Sequence, residues 1–110
     1  MARIAIVENG KIVIRNESGG WITSFTPQGS KKAIFVDTNP SDGRMLVTMD
    51  DGSVSVYNQY NGLLNSMSNC KNVVLARWMG NDVFVQHSDG AKELRTPNGG
   101  WIKPLYVYIQ

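Results

Sequence analysis

Three stretches of the chain repeat one arrangement of apolar and polar positions. Ile4, Ile6 and Val7 precede Asn9-Gly10; Met45, Leu46 and Val47 precede Asp51-Gly52; Val83, Phe84 and Val85 precede Asp89-Gly90. Apolar runs of this length predict strands. Asn-Gly or Asp-Gly between them predicts a two-residue type I′ hairpin turn, whose central residues both need positive φ. The segments that follow, Lys11 to Arg15, Ser53 to Tyr57 and Ala91 to Arg95, alternate with period two and are read as second strands. Next come "NESGGW", "NQYNGL" and "TPNGGW", polar turns that end in glycine and a large apolar residue, Trp21, Leu63 or Trp101. The glycines that recur ten residues apart, as in Gly52 and Gly62, thus bracket one strand and one turn.

Two further apolar runs, Ala33 to Val36 and Val73 to Ala76, close on the turn signals "DTNPSDG" and "WMGND". A full repeat therefore has four strands. The period is 42 residues from Gly10 to Gly52 and 38 from Gly52 to Gly90, and the difference falls in loops. A period near 40 with four strands per unit predicts the blades of a β-propeller: a partial blade over 1–30, then blades over 31–68 and 69–110, in a single all-β repeat domain. The stretch "AIFVDTNPSDGRMLVTMDDGSVSVYNQYNGLL" resembles one blade of the WD-repeat and related propeller superfamily, with Tyr57-Asn58 where that repeat has Trp-Asp.

In chain order the strands read B, C and D of a first blade and then two complete blades, so the first blade is one strand short. About three blades do not close a ring, because closed propellers use four to eight. Two chains joined head to tail about a two-fold axis would give six, so a homodimer is expected. The uncharged, β-prone "LYVYIQ" at the C-terminus is expected to pair with a sheet of the partner subunit. The competing architecture is a β-prism. "DDGSVSVY" resembles part of the monocot mannose-binding lectin motif, with Asp51 and Tyr57 in matching places and Met49 and Ser53 departing from it.

Composition narrows the partners. A hydrophobic content of 42% with 18% charged residues is that of a folding chain. The net charge of +2 is spread out, with Lys31-Lys32 the only adjacent basic pair, and gives no clear nucleic-acid signal. The N-terminal "MARIAIVENGK" is neither a signal peptide nor a membrane span, so a cytoplasmic location is expected. Cys70 is the sole cysteine and is read as a packing residue. Asn16-Glu17-Ser18 matches a glycosylation acceptor but is read as a turn.

No residue set identifies a reaction. His87 is the sole histidine, which excludes a multi-histidine metal site, and it is read as a hydrogen-bonded surface residue. Asp37 and Asn39 invite comparison with a calcium loop, but Asp42 stands where glycine is needed and Thr48 where a bidentate glutamate is needed. No glycine-rich phosphate loop opens a helix. No cofactor or metal is expected, and the chain is read as non-enzymatic. Trp21 and Trp101 interchange with Leu63 between repeats and are therefore assigned to packing, whereas Tyr60, Trp78 and Tyr106 are the candidate binding residues. The expected function is an oligomeric propeller presenting loops to a protein partner; the alternative is a small carbohydrate-binding lectin.

Overall fold

All three hairpin signals fold as hairpins, within three separate antiparallel sheets. The computed structural model describes residues 3–27, 29, 31–67 and 70–105. Strands β1 (Arg3–Glu8), β2 (Lys11–Asn16) and β3 (Trp21–Phe25) form the first sheet in that order. The second is β4 (Ala33–Thr38), β5 (Met45–Met49), β6 (Val54–Tyr57) and β7 (Leu63–Ser66). The third is β8 (Val73–Met79), β9 (Asp82–His87), β10 (Lys92–Arg95) and β11 (Trp101–Pro104). Each sheet is thus a meander of consecutive strands, as expected of propeller-like blades. The C-terminal pairing segment, with Tyr106, lies outside the described residues.

The hairpin turns correct one expectation. Only Asn9-Gly10 is a two-residue turn, with φ of 54° and 78° between the paired Glu8 and Lys11. In the second sheet Met49 N–H donates to Ser53 O at 2.9 Å, Gly52 N–H donates to Met49 O at 3.0 Å, and of the intervening residues only Gly52 has positive φ. The third sheet repeats this with His87, Ala91 and Gly90. One left-handed glycine after two right-handed residues makes a three-residue bulged loop, which asparagine in the first turn and aspartate in the other two distinguish.

Aligning the sheets one step inside the residues that close these turns, on Val7–Ile12, Thr48–Val54 and Gln86–Lys92, makes Ile4, Met45 and Val83 equivalent. Each sheet then has a forward face turned to the next sheet and a rear face turned to the one before. Ile12 and Ile14 on the forward face of the first sheet pack with Met45, Val47, Met49 and Tyr57 on the rear face of the second. Leu46, Val54 and Val56 on the forward face of the second pack with Ala76, Val83 and Val85 on the rear face of the third. Among the described residues no core cluster joins the first and third sheets, so these sheets form an open stack and not the closed three-sided arrangement of a prism.

Strand β4 lies against β1 on one side and β8 on the other, which places β4 and β8 on the inner edge of the stack. The first sheet has no strand at that inner place beside β1 among the described residues. Backbone bonds lock the joints. Ala33 N–H at the start of β4 donates to Gly10 O at 2.8 Å, and Val73 N–H at the start of β8 donates to Gly52 O at 3.0 Å.

Candidate functional site

The turns after the second strands are built alike. Asn16 and Asn58 each accept hydrogen bonds on Oδ1 from the backbone two and four residues on, reaching Gly20 N–H at 2.8 Å and Gly62 N–H at 2.9 Å. Thr96 Oγ1 accepts from Gly100 N–H at 3.0 Å. The asparagines are thus capping residues of an Asx-type turn, and a side chain on Gly62 would meet Asn58 Nδ2 at 2.9 Å. These turns project Tyr60, which is 75% exposed.

Trp21 and Trp101 are not core residues. They are 63% and 58% exposed, and Leu63 at the third equivalent position is 39% exposed. Strands β3, β7 and β11 are the outer edges of their sheets, and among the described residues no further strand pairs with them. Their interchange with leucine reflects a shared place on the rim.

Trp78 is held inside the joint between the second and third sheets. Its backbone N–H donates to Asp37 Oδ2 at 2.8 Å and its indole Nε1–H donates to Asp37 O at 3.2 Å. The Arg44 guanidinium lies 4.5 Å from the ring centroid, and Asp42 pairs with that arginine at 2.6 Å. The ring also packs on the core cluster of this joint. The indole is therefore a structural wedge, stacked under a cation.

His87 belongs to the same joint and is largely buried rather than a surface residue. Its Nδ1 is 2.8 Å from Lys71 O, and its Nε2 is hydrogen-bonded to Glu93, which pairs with Arg95 at 3.0 Å. Burial pushes the Glu93 carboxyl up, but the His87 hydrogen bond and Arg95 together hold it below the usual carboxylate range. Burial pushes the Cys70 thiol up, while the nearby charges of Arg95 and Glu93 act on it in opposite directions.

A cleft lies at the other joint, between the first and second sheets, with a volume of about 550 Å³. Ala5, Ile14 and Met45 line it, with Arg3, Thr38, Gln59 and the Asn39–Gly43 turn around them. That turn is fixed by Asn39, which is 3% exposed: its Oδ1 accepts from Ser41 N–H at 3.0 Å, and its Nδ2 donates to Gly80 O at 3.1 Å across the neighbouring joint. Neither Tyr60 nor Trp78 lines this cleft, and no two of the candidate binding residues are brought together in it. The sequence alone does not reveal the cleft, because its lining comes from separate strands and turns and forms no local motif. The usable signal lay in the repeats, where Thr38 occupies the place that Trp78 takes in the third sheet.

No family model matches the chain, and no curated protein matches it in sequence. Among solved structures the chain is similar to the crystal structure of HIRA(644-1017), with a TM-score of 0.57 over 91% of this chain at 13% identity. The chain spans 32% of the length of that one. This likeness supports a propeller-like fold and no particular family.

Proposed function

We propose that the chain is a non-enzymatic interaction module whose sheets are completed by a second copy of itself. The observation that carries this reading is the pair of open faces at the ends of the stack. On the rear face of the first sheet Ile4 is 46% exposed, whereas its equivalent inside the stack, Met45, is 2% exposed. On the forward face of the third sheet Phe84 and Leu94 are half-buried and Met79 is 52% exposed, whereas Leu46 and Val56, the equivalents of Phe84 and Leu94, are 0% and 1% exposed. The two faces are the two halves of one more joint of the same type. Because a rear face meets a forward face, the contact is head to tail, and two copies close it as a ring of six sheets. The outward turns and the cleft are then left to receive a protein partner.

Single cysteines placed at Ile6 and at Phe84, in a Cys70→Ala background, test the polarity of this contact. Under mild oxidation, Ile6→Cys mixed with Phe84→Cys is expected to form an interchain disulfide, while neither variant cross-links alone. Efficient Ile6–Ile6 cross-linking would mean that like faces meet, and the head-to-tail joint would be wrong.

A further inference from the structure

We infer that the cleft between the first and second sheets is a receptor for a planar aromatic group, supplied by a protein partner as the side chain of a tryptophan or tyrosine. The inference comes from comparing the two joints residue by residue. In the second joint, Arg44 of the second sheet covers the indole of Trp78 from the third, at 4.5 Å from the ring centroid. Thr38 pairs with Met45 as Trp78 pairs with Val83, so Thr38 is the counterpart of Trp78 in the first joint. Arg3 directly precedes Ile4 as Arg44 directly precedes Met45, so the covering cation is kept. The first joint thus has the arginine and the apolar floor, but a threonine where the second has an indole.

The space so left is the cleft of about 550 Å³, and both Arg3 and Thr38 line it. Such a volume falls within the roughly 300 to 1,000 Å³ of ordinary ligand sites. Its apolar lining is Ala5 and Ile14, counterparts of Leu46 and Val56 in the core of the second joint, with Met45 opposite. Ala5 is smaller than leucine, which widens the cleft further. Arg3 is exposed and at the mouth, where it can lie over an entering ring as Arg44 lies over Trp78. Among the described residues no inner strand stands beside β1 to supply a counterpart of Asp37, so the ring is recognised by its face rather than by a carboxylate acceptor. That favours any flat aromatic side chain over an aliphatic one of similar size.

The reading of the chain as an interaction module supplies only the source of the aromatic; the cleft itself stands on the joint comparison. N-acetyltryptophanamide titrated into the isotope-labelled full chain should shift the amide resonances of Ala5, Ile14 and Met45. N-acetylleucinamide should bind at least about fivefold more weakly, and Arg3→Leu should weaken the tryptophanamide by a similar factor. Thr38→Trp should fill the cleft, abolish binding and raise the melting temperature. Equal binding of the leucine compound, indifference to Arg3→Leu, or undiminished binding to a folded Thr38→Trp variant would each overturn the site. The pentapeptide Gly-Gly-Trp-Gly-Gly, blocked at both ends, should bind at least as tightly as the single amide. Binding of free indole without the peptide would overturn the partner side chain as occupant. Loss of every aromatic ligand from a chain that still self-associates would remove the cleft proposal and leave the open-face reading in place.

Discussion

Gly52→Ala is expected to destabilise the chain by about 3 to 5 kcal/mol, whereas Gly90→Ala, at the same place in the next repeat, should lose only about 1 to 2 kcal/mol. Both glycines have left-handed backbone, with φ of 85° and 92°, so both variants incur the conformational strain of an alanine there. Only Gly52 has a neighbour. A Cβ on it would sit 2.6 Å from Asn72 N and 2.8 Å from Asn72 Cα, backbone atoms held in place by the bond from Val73 N–H to Gly52 O. A Cβ on Gly90 meets nothing within 4 Å among the described residues. Thermal melts should therefore separate the variants by about 10 °C or more. Equal melting points would mean that the turn of the second sheet does not abut the start of the third.

That contrast shows how far the sequence can be read. Strands, hairpins and the four-strand repeat were all legible, because period-two alternation and Asn-Gly or Asp-Gly turns are local signals, and local signals decide which segments pair. That the first sheet has three strands among the described residues, one fewer than the others, was equally plain from counting. Turn length was not: asparagine and aspartate before glycine were treated alike, yet only Asn9 takes positive φ, and Asp51 and Asp89 sit in longer loops. The fate of the tryptophans was also hidden. Trp21 and Trp101 follow glycine at matching positions, but whether such a position faces a core depends on whether another strand lies outside it, which no local pattern records. Trp78 shows the reverse. It is a candidate contact residue as one of the chain's aromatics, and it is held in the joint by Asp37, a residue 41 positions earlier in the chain. The cleft was invisible for the same reason, since it is defined by a missing side chain at Thr38 rather than by a motif.

Introducing a charge on an open face should separate copies without unfolding them. Ile4→Lys places an ammonium at a site that is 46% exposed in the single chain, so the fold is expected to survive with little loss. In the assembled ring the same site becomes the counterpart of Met45, which is 2% exposed, and an unpaired cation there opposes association. Self-association is expected to weaken at least about 100-fold, since each tenfold corresponds to about 1.4 kcal/mol and burial of a lone charge costs several. Met45→Lys supplies the contrast, because it buries the charge within one chain and should unfold it. If Ile4→Lys leaves association unchanged while remaining folded, this face is not part of the contact between copies.

Sedimentation equilibrium of the unmodified chain tests the central claim most directly, because three sheets with two open apolar faces either find a second copy or do not. The expected result is a single species of twice the 12.2 kDa chain mass at micromolar concentration. A mass of 12.2 kDa that persists into the high micromolar range would contradict completion of the stack by a second copy.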